Sequence, residues 1–343
     1  MREIDRREFL KWCGGTLGVI LIGCQGREEE LEHAVETVSP PGSEPVSLVI
    51  DGIRITPNEE FYVLEYSSPG PVDVSSWQLR VDGLVERPLT LTYDEILALP
   101  SLTEMRTLEC ISNPAGGSLI GNAVWEGVRL ADILNLAGVK PGAVEVRFEC
   151  TDGYHTSIPL DWALHPHSLL VYKMNNETLP QAHGFPLRAL FPGVYGMKQP
   201  KRIQRIEVID NDYKGYWETR GWSDAAPIKP NARIDHPRFG QNLSVGKVVV
   251  DGLAFAGASG IAKVELSFDE GSTWREAELV RGPTPYVWVQ WSYGWEAGAG
   301  RQPIWARVTD DQGRTQERPA SGLLQNTFPD GTSDMHVVWV QVG

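Results

Sequence analysis

Four cysteines in 343 residues are too few for a disulfide-stapled scaffold. None of them falls in a CxxC or CxxCH pattern, which argues against a zinc ribbon, a thioredoxin-type pair and covalently attached haem. Positive charge is scarce as well. Lys and Arg total 31 against 45 Asp and Glu, a net charge of −14, so the chain lacks the basic footprint of a nucleic-acid or anionic-membrane binder. The apolar run from Trp12 to Gly23 is too short to cross a bilayer. What is present is an ordinary globular balance, 41% hydrophobic and 22% charged, in a chain long enough for two domains of roughly 100–200 residues each. With 35 Gly and 24 Pro, it reads as turn-rich with much β-structure.

The first 23 residues read as an address. Arg6-Arg7 precede Phe9-Leu10-Lys11 and the apolar run, a pattern similar to a twin-arginine signal. Leu21-Ile22-Gly23-Cys24 resembles a lipobox, which makes Cys24 the expected lipidation site; an uncleaved anchor helix is the competing reading. Residues 24–46 are polar, acidic and proline-bearing, as in a tether between lipid and domain. The expectation is an exported, periplasmic or extracytoplasmic protein held by a lipid anchor.

Residues 47–232 have an α+β pattern. Thr92-Tyr93-Asp94-Glu95 is a capping-box signature, and Leu130, Ile133, Leu134 and Ala137 follow helical spacing up to a Gly138 cap. Val144–Cys150, Leu169–Lys173 and Ile203–Ile209 read as strands, the second closing on a turn at Asn175-Asn176. From 233 to 343 the texture becomes all-β: Val248–Phe255, Lys263–Phe268, Trp274–Leu279, Tyr286–Tyr293, Pro303–Val308 and Met335–Val342 are strand-like, and an immunoglobulin-like sandwich is expected. In Val287–Trp291 both faces are largely apolar, which suggests cover on both sides.

Two features carry chemistry. Cys110 follows a strand-like stretch and precedes a glycine-bearing loop in TLECISNPAGG. It is either a buried inert thiol or a thiolate able to act as nucleophile or soft metal ligand. The second is an island of five basic residues with no acid (Arg188, Lys198, Lys201, Arg202, Arg205), studded with Pro192, Gly193, Gly196 and Pro200. A loop of this kind either binds an anion or is simply solvated.

LEC at 108–110, DGYHTSIPL at 152–160, HGFPLRALFPGVYGMKQPKRI at 183–203 and DYKGYW at 212–217 resemble the molybdenum domain of the sulfite oxidase family. VELSFDEGSTW at 264–274 is similar to the dimerisation domain that follows it. The resemblance implies a mononuclear molybdenum on one molybdopterin, with Cys110 as the protein thiolate ligand. It implies pterin contacts from Tyr62, Asp152, His183, Arg188, Gln199, Pro200 and Lys201, and an active-site tyrosine at Tyr154; His155 beside it is either a catalytic neighbour or a structural histidine. Oxygen-atom transfer is the implied reaction and a homodimer the implied assembly.

The family pattern breaks where sulfite would be gripped. Leu64 stands in the place of a strand arginine, Pro114-Ala115-Gly116 follow Asn113 where arginines are expected, and Val289 replaces a third cation. Uncompensated charge on a small anion is costly, so a neutral or differently charged substrate, such as a sulfoxide or N-oxide, is expected unless Arg106 or Arg220 substitutes. With no haem signature, electrons must pass to or from a cytochrome c or a membrane redox subunit. The competing class is a non-enzymatic, lipid-anchored binding module, and a disulfide-based redox protein is a third reading. Cys150 in its apolar strand reads as a buried thiol, His165-Pro166-His167 as a surface turn, and Trp288, Trp291 and Trp295 as core.

Overall fold

The computed structural model describes residues 48–67, 70–318 and 327–343. The signal, Cys24 and tether expectations lie outside them.

After a hairpin of β1 (Leu48–Ile50) and β2 (Ile53–Ile55), the N-terminal half builds two sheets. One has the order β4 (Leu89–Thr92), β3 (Gln78–Gly83), β12 (Ile203–Ile209), β7 (Glu145–Cys150), β8 (His155–Pro159). The other runs β10 (Glu177–Thr178), β9 (Leu169–Met174), β6 (Ile120–Arg129), β5 (Ser101–Glu109), with β11 (Arg188–Leu190) also on β9. Three short helices, α1 (Tyr93–Leu97), α2 (Leu130–Ala137) and α3 (Leu160–Ala163), complete it.

Local rules account for these elements. Thr92 accepts the Glu95 amide at 3.3 Å and the Glu95 carboxylate accepts the Thr92 amide at 2.8 Å, a reciprocal cap contributing about 1 kcal/mol. Helix α2 buries Leu130, Ile133, Leu134 and Ala137 and ends at Gly138, whose φ of 73° is the left-handed cap conformation. Asn175 and Asn176, at φ 50° and 64°, form the turn between β9 and β10. Strand β12 sits mid-sheet, parallel to β3 and antiparallel to β7.

The C-terminal half is two sheets over one core. A four-stranded sheet, β13 (Asn231–His236), β15 (Gly246–Phe255), β19 (Val289–Ala297), β18 (Glu278–Val280), faces a five-stranded one, β14 (Asn242–Leu243), β21 (His336–Val342), β20 (Gly300–Asp310), β16 (Ile261–Ser267), β17 (Arg275–Glu276). Val250, Trp291 and Trp295 from the first meet Val264, Leu266, Ile304 and Val340 from the second.

Two expected strands differ in an informative way. Trp274–Leu279 is not one strand: β17 pairs with β16, the chain crosses sheets at Ala277, and β18 pairs with β19. Tyr286–Tyr293 becomes a strand only from Val289, because the residues before it bond to β5 instead. The Thr107 amide donates to the Tyr286 carbonyl, and the Trp288 amide donates to the Thr107 hydroxyl, both at 2.9 Å. Val287 and Trp288 therefore share a core with Met105, Ile111, Tyr195 and Met197, while Val289 and Trp291 face the sandwich core. The apolar double face of 287–291 is explained by contact with the N-terminal half, and this shared core lies next to Cys110.

Candidate functional site

Strand β5 delivers Cys110 to the start of a tight turn. The Cys110 amide donates to Leu119 O at 3.0 Å, the Asn113 amide closes back on Cys110 O at 3.0 Å, and the Asn113 side-chain oxygen accepts the Leu119 amide at 2.9 Å. Cys110 is a free, half-buried thiol whose Sγ lies 3.0 Å from the Ser112 hydroxyl. Burial pushes the thiol up, opposed by Ser112. A thiolate here needs a positive partner, which a metal ion would supply.

The preceding carboxylate, Glu109, ties the turn to both halves of the molecule. Its two oxygens accept from Asn113 Nδ2 and from Asn231 Nδ2 of β13, each at 2.9 Å. Burial raises Glu109 to about 7 against those hydrogen bonds. Nearby, Arg233 donates to Gly117 O at 3.1 Å. A side chain at Gly116 would collide with the His336 ring at 2.2 Å, so glycine is required where the turn docks on the sandwich.

The other wall comes from the segment 181–202 and the strip around Tyr62. The turn at Gly196 presses on the cysteine: a Cβ there would lie 3.3 Å from the Tyr62 hydroxyl, 3.4 Å from Glu109 O and 4.0 Å from Cys110 Cα. His183 Nε2 is 2.7 Å from Asn58 O, and burial lowers the imidazole to about 4, so it is neutral at pH 7. Arg188 donates to His183 O at 3.3 Å and stacks 5.6 Å from the Trp125 ring; burial lowers it to about 10. Lys201 donates to Leu64 O at 2.8 Å and Ala182 O at 3.0 Å. Arg202 donates to Glu65 at 2.6 Å and lies 3.7 Å from Asp152, whose carboxylate also accepts the Tyr154 amide at 3.0 Å. Pro200 contributes backbone alone, its carbonyl accepting the Ala189 amide at 3.0 Å.

The basic island is thus not one loop. Arg188 belongs to β11 and Arg205 to β12, and two members turn away: Arg205 bonds Asp82 at 3.0 Å, while Lys198 pairs with buried Glu218 at 2.6 Å. Arg188, Lys201 and Arg202 remain as mutually repelling neighbours. Around them, among the described residues, Tyr62 Oη, Thr151 Oγ1, Arg188 Nε and Gln199 Oε1 are buried without a hydrogen-bond partner, and Arg202 Nη1 has only the 3.7 Å approach of Asp152. Groups of this kind occur elsewhere in the protein as well, but here several gather beside one cysteine and three cations, where a polar ligand would complete them. The set fits an anionic, hydrogen-bonding group beside a soft sulfur ligand, as a pterin phosphate with molybdenum requires.

Tyr154 is buried, and its hydroxyl donates to Met197 O at 2.5 Å. His155 is engaged by Tyr213, with Nδ1 2.8 Å from that hydroxyl. Arg202, Thr151, Glu109 and Asn231 escaped the sequence-based list. Arg202 carried a signal, standing within the basic island; the other three are placed by tertiary packing.

Lys201 yields a test. Burial first, then Arg188 and Arg202, lower its amine from 10.5 to about 7. Between those values the unfolded chain holds a proton that the folded, cofactor-free chain does not, so stability should rise with pH from about 7 to 10. Below about 7 both states are protonated and the whole cost of burying the charge is present. Denaturant titrations of cofactor-free protein across this range should show that slope, and Lys201→Met should flatten it; equal slopes would place the linkage elsewhere.

Residues 66–217 match the family model "oxidoreductase molybdopterin binding domain", and residues 225–326 match "Mo-co oxidoreductase dimerisation domain". The chain is 32% identical over 370 residues to mitochondrial sulfite oxidase of Drosophila melanogaster, covering 90% of this chain and 64% of that protein's length. It is 31% identical over 299 residues to sulfite oxidase of Arabidopsis thaliana, covering 73% and 76% of the two chains. An uncharacterised oxidoreductase of Bacillus subtilis shares 37% over 174 residues, covering 49% and 86%. The fold is similar to the sulfane dehydrogenase SoxCD of Paracoccus pantotrophus, with a TM-score of 0.73, 23% identity and coverage of 89% and 87%. Two matched domains in the right order, and the identity to curated sulfite oxidases along most of the chain, place this chain in the sulfite oxidase family of molybdenum oxidoreductases, whose cofactor is Mo-molybdopterin.

Proposed function

We propose that the chain transfers an oxygen atom to or from a sulfur or nitrogen oxo compound at a molybdenum ligated by Cys110, and exchanges electrons with an external redox protein. The observation that carries this reading is the half-buried Cys110 thiol bordered by buried Tyr62 Oη, Arg188 Nε and Gln199 Oε1 atoms that have no hydrogen-bond partner among the described residues. A pure binding module has no use for that combination. Bound molybdenum supplies a two-electron change coupled to movement of one oxygen atom. In this reading Arg188, Lys201 and Arg202 neutralise the pterin phosphate, Tyr62 and Gln199 bond the pterin, and Asp152 braces Arg202. Tyr154, its proton engaged by Met197 O, closes the side of the pocket and presents its oxygen as an acceptor.

The substrate end supports a neutral oxide over sulfite. Leu64 fills the place of one cation, and its carbonyl is used by Lys201. Arg106 is buried, bound to Glu104 and the His167 carbonyl and stacked on Tyr286; Arg220 lies exposed over the Tyr216 ring. The Arg106 charge is already met by Glu104. The names of the relatives favour the second reading, a sulfite dehydrogenase. Steady-state assays separate the two. Sulfoxide or N-oxide reduction by a reduced dye should exceed sulfite oxidation in kcat/KM, and Leu64→Arg should raise the sulfite value about tenfold, the worth of one charge-assisted hydrogen bond. A micromolar sulfite KM in the unaltered protein would overturn the neutral-oxide reading.

Export by the twin-arginine route, a lipid anchor at Cys24 and a soluble cytochrome c or membrane redox subunit as electron partner belong to the same proposal, supported by Arg6-Arg7 and Leu21–Cys24. So does a homodimer formed through an immunoglobulin-like C-terminal sandwich, supported by the matched dimerisation domain.

A further inference from the structure

Four consecutive residues, Gly196 to Gln199, border the cofactor site, and only one of them points away from it. Gly196 abuts Tyr62 and Cys110. Met197 O takes the Tyr154 proton. Gln199 is held by its amide nitrogen on Val194 O at 2.7 Å, leaving its oxygen unpartnered. Lys198 instead reaches Glu218, with Nζ 2.6 Å from Oε1 and side-chain exposures of 2% and 1%. The Thr156 hydroxyl donates to the same oxygen at 2.7 Å, and Asp224 lies 3.5 Å from the amine.

A fully buried ion pair is weak evidence for stability, because desolvating both charges consumes most of their attraction and a pair of apolar side chains would fill the space as well. What such a pair provides is a fixed direction: a charged amine has one low-energy position, over its carboxylate. The turn it anchors is otherwise tied to distant parts of the chain by the Tyr154 hydroxyl on Met197 O and by the packing of the Met197 side chain. Its own hydrogen bonds, Lys198 N to Tyr195 O and Gln199 N to Gly196 O, both at 3.0 Å, are local and constrain its shape but not its height above the cysteine. Glu218 lies in the 3₁₀ turn Glu218–Arg220, and Thr156 lies on β8, one residue beyond His155 and two beyond Tyr154. The pair therefore links the turn, the strand that follows Tyr154 and the end of the N-terminal half.

We propose that Lys198 and Glu218 are positioning residues, which hold the Gly196–Gln199 turn down so that Gln199 faces the cofactor and Tyr154 stays closed over the pocket. The inference rests on the Cys110 site being the one that holds molybdopterin. The full chain is made in a molybdopterin-producing host as wild type, Lys198→Met, Lys198→Arg and Glu218→Gln. Molybdenum and pterin per chain, kcat and KM for the best oxide, and amide exchange at 197–199 are then measured. In Lys198→Met, cofactor content should fall at least about fivefold and turn amides should exchange about a hundredfold faster, as for local release of a pinned segment. Lys198→Arg should restore both to within about twofold, since it keeps the charge. Where Lys198→Met does not fold, Glu218→Gln decides the matter: it keeps an acceptor for Thr156 but removes the charge. A variant that loses melting temperature alone, with cofactor content, exchange and the kcat-to-KM balance unchanged, overturns the proposal. If wild type carries no molybdenum, the site reading fails on its own, and the exchange data still report whether the pair pins the turn.

Discussion

Cys110→Ser should lower turnover by about a thousandfold or more while leaving the fold intact. The fold is spared because the turn is held by backbone bonds to Leu119 O and Cys110 O and by the Asn113 side chain; among the described residues the thiol bonds to Ser112 alone. Chemistry is lost because a hard hydroxyl oxygen replaces a soft, polarisable sulfur, and a serine is far harder to deprotonate than a thiol. The check is X-ray absorption at the molybdenum edge beside activity. One sulfur scatterer should disappear and the two dithiolene sulfurs should remain. Retention of more than about a tenth of wild-type turnover would remove Cys110 from the metal.

Arg188→Met should move two observables in opposite directions. Arg188 is buried with Nε unpartnered, and burial lowers its guanidinium to about 10, so without the cofactor it is an expensive resident. Methionine approximates its volume and keeps contact with Trp125. The cofactor-free variant should melt at or above the wild-type temperature, yet hold molybdopterin at least about tenfold less well, because a buried charge-assisted contact to phosphate is gone. A residue needed only for folding would lower both. Calorimetry of cofactor-free protein and pterin analysis of protein from a competent host read the two effects separately.

How much of this was legible in the sequence depended on whether the determinant was local. The Thr92–Glu95 cap, the Gly138 stop of α2 and the Asn175-Asn176 turn were readable because each is set by residues within a few positions of one another. The break at Ala277 was not, since the residues there suit a strand in either sheet and only three-dimensional pairing assigns them. The late start of β19 has the same origin: Tyr286–Trp288 have strand composition but bond to Thr107, 179 residues before Tyr286 in the chain. At the site, motif likeness pointed to Cys110, His183, Arg188 and Lys201. It could not say which basic residues face inward, because Lys198 and Arg205 are decided by the acids that meet them, Glu218 and Asp82, which lie elsewhere in the chain.

Strand β5 ends just before the cysteine, and its last residues are bonded to the opposite half of the molecule: Thr107 to Tyr286 and Trp288, then Glu109 to Asn231. The boundary drawn by family likeness, between 217 and 225, is therefore not a boundary for inheritance of function. A chimera that imports a foreign C-terminal half must import partners for Thr107, Glu109 and Gly116 with it, or the cysteine turn loses its floor. In this chain the two halves have to be exchanged, engineered and evolved as one piece.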